Sequence, residues 1–392
     1  YEMTSSLVGS EMCIRDSYGE VQIKQLNDRS KMYYTPNKEN NVFQLVVQYG
    51  AGEREFPKLG YAAQLMNNAG IMGAYEPQEL KEELSKLNAT CHVTADDDNL
   101  YIIMEGYEAT LPQACQLLSR QILMPKLDEK QLARLKGSAM GMRQQRKDNV
   151  SILNEALRQY MLYGEKSDYI KELTDKEIYE LQISELTGDI NRASNYEAKV
   201  FFTGTLPFDQ VYDILSKNLP LVANERPSNS PQAKDMMPVT ENTVYFLPNN
   251  DAEQAQIHLY IPMQKADKKD DVLRSAFNQY FGLDFTGIVL NEIREKRSMA
   301  YTAYAFVGTQ GIAGKASYLR GYIGTQNDKA NDALDVLMGL VNDMPKNPER
   351  IDNIKSYLRQ AMLTSHPSFR NKAMELVDLG YRGYTDDPAK EN

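Results

Sequence analysis

Gly287-Ile-Val-Leu-Asn-Glu-Ile-Arg294-Glu-Lys-Arg-Ser-Met-Ala-Tyr301-Thr-Ala-Tyr-Ala-Phe306 changes its period part-way along. Leu290, Ile293 and Arg297 are spaced as one face of a helix, with charges around the rest. From Ala300 the pattern becomes that of a strand, Tyr301, Ala303 and Ala305 alternating with Thr302, Tyr304 and Phe306. The reading places Arg294 in the last turns of a helix and Tyr301 at the opening of the next strand. A guanidinium and a phenol converging at such a junction are two hydrogen-bond donors that can hold a carbonyl oxygen or a developing oxyanion. The same spacing also fits a helix-end cation beside an edge tyrosine, and 25 tyrosines in the chain make a chance Arg–Tyr pair common.

Outward from this junction, Gln256 to Pro262 reads as a strand, Asp271 to Phe281 as a helix, Ser317 to Gly324 as a strand and Lys329 to Asn342 as an amphipathic helix. A comparable order occupies the first half. Strands are expected at Val21–Lys24, Lys31–Tyr34 and Val42–Tyr49, then helices at Lys58–Asn68 and Gln78–Leu87. A hairpin is expected at Thr90–Thr94 and Leu100–Glu105, turning at Asp96–Asn99. Helices follow over Leu111–Leu123, Asp128–Tyr163 and Thr174–Leu186, then a strand at Ala198–Thr203 and a helix at Phe208–Asn218. A shift of about 210 residues lays one order on the other, the mark of an internal duplication. The fold class expected is α+β: two homologous domains, each a mainly antiparallel sheet packed against helices. The Pro-, Asn- and Ser-rich stretch 222–242 separates them, giving a first domain at 18–221 and a second at 243–392.

The stretch R-E-K-R-S-M-A-Y, from Arg294 to Tyr301, resembles the second-domain signature of the insulinase, or pitrilysin, family of zinc metallopeptidases. The resemblance extends more weakly from Tyr18 to the C-terminus. In that family the Arg and Tyr of R-E-x-x-x-x-A-Y grip the substrate backbone near the scissile bond from across a closed chamber. The resemblance therefore implies a substrate-binding role for Arg294 and Tyr301. It also calls for H-x-x-E-H on a first-domain helix, two imidazoles one turn apart for zinc and a glutamate as general base. Counting back from Gly70 sets Tyr61, Gln64 and Leu65 on those positions, so both imidazoles and the carboxylate are missing, and the distal ligand position falls at Gly141 or Met142. No catalytic residue and no metal site are expected in this chain, which is read as an inactive domain pair.

Other chemistry is thin. Three histidines, His92, His258 and His366, lie in separate elements; His92 and Cys91 point to opposite faces of one strand, and His258 reads as a second-domain strand residue. Asp96-Asp97-Asp98 lacks the spacing and glycine of a calcium loop. Gly308-Thr-Gln-Gly311-Ile-Ala-Gly314 lacks the lysine of a phosphate loop and reads as a hairpin connection. With Cys13 in a tract that reads as a translated sequencing adaptor, Cys91 and Cys115 define neither a disulfide framework nor a zinc cluster.

Net charge is −10, from 44 basic and 54 acidic residues with the acids dispersed, which disfavours nucleic acid and anionic membranes as partners. No apolar run has the length of a membrane span. Residues 1–17, with Leu7 to Ser17, read as a translated sequencing adaptor and are set aside from the fold, and the C-terminus reads as truncated. The resemblance implies the C-terminal, chamber-closing half of a peptidase that cleaves unfolded peptides. It places zinc in a missing N-terminal half, and suggests a bacterial periplasm or cell envelope. Two alternatives stay open: a separate non-catalytic subunit pairing with a zinc-bearing partner, or a purely structural homologue like respiratory core subunits. The Arg294–Tyr301 signature favours the peptidase readings, and the adaptor favours the fused half.

Overall fold

The computed structural model describes residues 18–147, 149–223, 225–249, 252–283, 286–364, 367–385 and 388. The adaptor-like tract, Cys13 and His366 lie outside them.

The first sheet has six strands in the order β1-β2-β8-β3-β6-β5. They are β1 (Gln22–Gln25), β2 (Lys31–Pro36), β3 (Val42–Tyr49), β5 (Ala89–Ala95), β6 (Leu100–Tyr107) and β8 (Ala198–Gly204); β4 (Gly70–Ile71) and β7 (Pro125–Lys126) pair separately. All ladders in the large sheet are antiparallel except that of β2 with β8. Strand alternation explains how its faces are covered. Met32, Tyr34, Phe43, Leu45, Val47 and Phe202 point into one core. There they meet helices α1 (Leu59–Met66), α3 (Leu111–Leu123) and α6 (Ile183–Ala193), with α2 (Pro77–Lys86) and α7 (Phe208–Asn218) completing the layer.

Helix starts follow local chemistry. Pro77 opens α2 behind a Glu76–Glu79 capping box. Asp128 and Gln131 cap α4 (Glu129–Arg146), and Asn149 caps α5 (Val150–Tyr163). Thr174 to Leu186, expected as one helix, is two. A short helix at Asp175–Tyr179 precedes α6, with Leu181 buried between them and Gln182 extended.

The described residues of 222–242 form no helix and, beyond a single parallel bridge of Arg226 to Tyr196, no strand, yet they are tied down. The Glu225 carboxylate accepts from Asn27 Nδ2 at 2.8 Å and from Ser30 N at 3.1 Å. Lys234 Nζ meets Asp97 at 2.7 Å, and Met237 N donates to Leu162 O at 2.8 Å. Composition alone does not convey this strapping, because it depends on partners far away in sequence.

The second sheet has the order β10-β11-β9, with β9 (Gln254–Lys265), β10 (Ala300–Thr309) and β11 (Ala316–Gln326) all antiparallel. Its inner face carries Ile257, Leu259, Ala303, Ala305 and Ile323 against α8 (Asp271–Phe281) and α9 (Ala330–Asn342). Two further helices, α10 (Ile351–Thr364) and α11 (Lys372–Tyr381), end the described chain.

The two units share the order of β3, β5 and β6 with β9, β10 and β11 and of the three helices that follow each, and they exchange helices. Counted through that order, α5 of the first unit corresponds to α11 of the second. Helix α11 leaves its own unit and lies on the outer face of the first sheet. There Ala373, Leu376 and Leu379 bury Tyr33, Val46 and Phe201. Conversely, α5 lies on the outer face of the second sheet, where Asn154 Oδ1 is 2.7 Å from His258 Nε2. Tyr384 Oη donates to Asp271 Oδ2 at 2.7 Å and ties the end of α11 back to α8.

Candidate functional site

The Gly287–Phe306 stretch builds a junction with two irregularities. Ile288, Val289, Leu290 and Ile293 are all buried beside Phe281, Ala303 and Leu337. The helix begins as α at Ile288–Leu290 and opens into a π-helix at Asn291–Glu295, with Lys296 N donating to Asn291 O at 2.9 Å. Ser298, at φ 49°, reverses the chain, its N–H donating to Arg294 O at 2.8 Å.

Arg297 does not join the buried face that its spacing suggested. Its Nη1 donates to Glu292 O at 2.7 Å and to Glu292 Oε2 at 2.6 Å, and Lys296 Nζ reaches Glu292 Oε1 at 2.6 Å. These contacts, Arg297 first, hold the Glu292 carboxyl below its usual range. Arg297 and Lys296 are thus braces of the turn.

The strand that follows opens on a bulge. Its ladder passes from Ala300↔Thr325 to Thr302↔Gly324, leaving Tyr301 opposite no residue. Tyr301 is consequently 76% exposed. The Arg294 guanidinium lies 5.2 Å from the Tyr301 ring centroid, and Nε is 3.5 Å from Glu295 Oε1. Among the described residues the Tyr301 hydroxyl makes no hydrogen bond. The structure therefore brings the two sequence-selected residues together on the surface, one presented by a π-turn and the other by a β-bulge. A planar fork and a phenolic donor sharing one exposed spot can engage a peptide carbonyl or the oxyanion formed from it.

The three residues on the zinc-motif positions do not converge. Leu65 is buried in the first core, Gln64 is exposed, and Tyr61 is half-buried at the core's edge. Gly141 and Met142 are exposed on α4. A phenol, an amide and an alkyl group are not a zinc ligand set. Among the described residues no group of three or more His, Cys, Asp or Glu could hold a metal ion.

A different carboxyl occupies this neighbourhood. Glu53 packs over Gly60 so closely that a Cβ added there would stand 2.2 Å from Glu53 Oε1. Burial first, then Asp97, Asp96, Asp168 and Glu172, push the Glu53 carboxyl up to about 7. Since an exposed glutamate titrates near 4.5, folded protein holds this proton between about 4.5 and 7 while unfolded protein does not. This group's contribution to stability is full below that window and falls as pH rises through it. Glu53→Gln is expected to raise Tm at pH 7.5 and to flatten the Tm–pH curve between pH 5 and 7; an unchanged slope in thermal melts would refute the assignment.

Sequence reasoning missed the roles of two other features. His258 faces α5, and burial, aided by Arg320 and Arg158, lowers its imidazole to about 4, so it is neutral. The glycine-rich turn 308–314 is the hairpin connection expected from the sequence, joining β10 to β11, but its second role is not legible there: Thr309, Gln310 and Gly311 line a cavity of about 660 Å³ between the units with Arg54, Asp98 and Lys234. Neither role shows in the sequence, because each depends on the packing of one unit against the other.

Residues 194–358, from the end of α6 into α10, match the family model described as the peptidase M16 inactive domain. No curated protein matches the chain. Among solved structures, the chain is similar to a peptidase M16 inactive domain from Pseudomonas fluorescens, at 19% identity and TM-score 0.69, covering 95% of this chain and 91% of that one. It is similar to a protease from Helicobacter pylori at 14% identity and TM-score 0.68, covering 94% and 95%. It is also similar to the periplasmic protease PqqL from Escherichia coli at 14% identity and TM-score 0.72, covering 94% of this chain but 42% of that one. At these identities the likeness shows the α+β fold, two sheet-and-helix units of the same design.

Proposed function

As a member of the M16, or insulinase/pitrilysin-type, peptidase family through its inactive domain, this chain is, we propose, the substrate-gripping and chamber-closing half of a peptidase that cleaves unfolded peptides. The observation that carries the reading is the pairing of Arg294 with Tyr301 at 5.2 Å on a surface shaped by a π-turn and a bulge. Arg294 offers its fork to a backbone carbonyl, and Tyr301 offers a hydroxyl to the same oxygen or its neighbour. The braced Glu292 turn supports Arg294, and the ladder pairs of Ala300 and Thr302 flank Tyr301 on either side of the bulge.

Residues 61, 64 and 65 do not fit zinc, so the metal chemistry of the reaction belongs to another polypeptide segment, fused or separate. The solved structures support both arrangements: PqqL is more than twice this chain's span, whereas two neighbours are covered to 91% and 95% of their length. No helix among the described residues is long and apolar enough to cross a membrane. A cell-envelope or periplasmic setting is part of the proposal, supported by the description of PqqL as periplasmic.

Metal analysis of the dialysed chain, with peptide-cleavage assays on the chain alone and mixed with a zinc-bearing M16 half, tests the reading. Substoichiometric zinc, no cleavage alone and cleavage on mixing are expected. Stoichiometric zinc with chelator-sensitive cleavage by the chain alone would falsify it.

A further inference from the structure

The first sheet ends on β5, and the edge that β5 presents is covered piece by piece. Asn67, the residue after α1, lies against its middle. Asn67 Oδ1 accepts from Val93 N at 2.7 Å, and Asn67 Nδ2 donates to Val93 O at 2.8 Å. One side chain thus makes both hydrogen bonds that a residue of an adjoining antiparallel strand would make there. At the turn end of β5, Glu53 N donates to Asp96 O at 2.8 Å and Arg54 N to Asp97 O at 3.0 Å, so main chain covers that end. By strand alternation the backbone groups of Ala89 and Cys91 point the same way as those of Val93, away from β6. A cavity of about 540 Å³, lined by Leu84, Ala89, Cys91 and Gln121 among others, opens beside them.

Asn67 is held in place from behind. The buried Gln121 on α3 donates through Nε2 to Met66 O and to Ala69 O, each at 3.2 Å. Gln131 Nε2, on α4, donates to Asn68 O at 2.6 Å. The carbonyls on both sides of Asn67 are therefore fixed by side chains from two other helices. Both polar atoms of the Asn67 side chain are committed to Val93 and not to the end of its own helix.

We propose that Asn67 is a plug: its side-chain amide stands at Val93 where one residue of an added strand would pair, and so keeps the first unit's sheet edge closed to extended peptide. An unguarded edge offers its backbone N–H and C=O groups to any extended chain. With Glu53 and Arg54 at one end and Asn67 in the middle, only the backbone groups of Ala89 and Cys91 remain, a stretch at the short limit of what a strand spans. An incoming peptide would have to displace both Asn67 bonds before it gained any at Val93. Asn67 also lies two residues past Leu65, on the segment that carries the zinc-motif positions. The first unit then has neither a metal ligand set nor an open edge, and peptide is left to other surfaces. This inference concerns the first unit alone and does not rest on the Arg294–Tyr301 reading.

Amide exchange read residue by residue on the full chain tests the plug. After correction for sequence, the Val93 amide is expected to exchange roughly tenfold or more slowly than that of Cys91. The probe is a peptide with the sequence of β6, Leu-Tyr-Ile-Ile-Met-Glu-Gly-Tyr, the strand that pairs with the other side of β5. In excess it should leave β5 exchange in the wild-type chain unchanged. Asn67→Ala removes both bonds to Val93. In that variant Val93 should exchange like Cys91, and the peptide should slow both. Val93 exchanging as fast as Cys91 in the wild-type chain overturns the proposal, whether or not the variant folds. So does peptide protection of β5 in the wild-type chain. A folded Asn67→Ala protein whose Val93 stays protected, or whose β5 still excludes the peptide, overturns it as well, because something other than Asn67 then closes the edge.

Discussion

Tyr301→Phe should lower kcat by roughly 10²–10³-fold in the proposed pairing of this chain with a zinc-bearing half, the range for losing one oxyanion donor. The substitution removes one hydroxyl from a side chain that is 76% exposed and leaves the ring beneath the Arg294 guanidinium. Folding, assembly and zinc content should therefore match the parent protein. Arg294→Lys keeps a charge but loses the planar fork, and should raise KM more than it lowers kcat if positioning of the peptide is its main task. Arg297 is unsuitable as a neutral control because it braces Glu292. Tyr179→Phe, at an exposed tyrosine in the other unit, serves instead. Steady-state kinetics decide the matter: wild-type kcat and KM in both Tyr301→Phe and Arg294→Lys would remove the pair from the reaction.

The largest effect on stability is expected at the helix exchange. Leu376 on α11 is 4% exposed, buried among residues of the first sheet. Leu376→Ala removes three carbons from this contact and should cost about 2–5 kcal/mol, the range for buried leucine truncations. The neighbouring Tyr33–Phe201 stack, at 5.2 Å, leaves little freedom for collapse around the cavity. Denaturant unfolding of the purified chain measures the loss. If α11 only rests on the sheet surface, the change will be under about 0.5 kcal/mol, as for ordinary exposed positions.

Much of the architecture is legible in the sequence, for local reasons. The β5–β6 hairpin shows in its alternation across Asp96–Asn99, and α3 begins where the Leu111-Pro112 pair suggests. Helix α8 occupies the Asp271–Phe281 range that its periodicity indicates. The α+β class follows from these elements, and the family match over 194–358 agrees with the resemblance carried by Arg294 to Tyr301. What escapes the sequence depends on tertiary packing. The π-turn at Asn291–Glu295 leaves no mark in the apolar spacing of Ile288 to Ile293, and the bulge at Tyr301 exists only relative to β11. Helix α11 is hard to read because its apolar face, Ala373, Leu376 and Leu379, answers a sheet some 170 positions or more earlier in the chain. The proximity of Arg294 and Tyr301 was readable as a spacing, whereas their presentation to solvent was not.

Helices α5 and α11, each lying on the sheet of the opposite unit, give the chain the plan of a segment-exchanged homodimer written into a single polypeptide. In a true dimer such an exchange depends on protein concentration and obliges both copies to keep the same surfaces. Covalent linkage replaces that dependence with a fixed effective concentration. Each copy is then free to differ, and one presents the Arg294–Tyr301 surface while the other carries Tyr61, Gln64 and Leu65. The joint also makes the two units interdependent: either one alone would leave a sheet face without its covering helix.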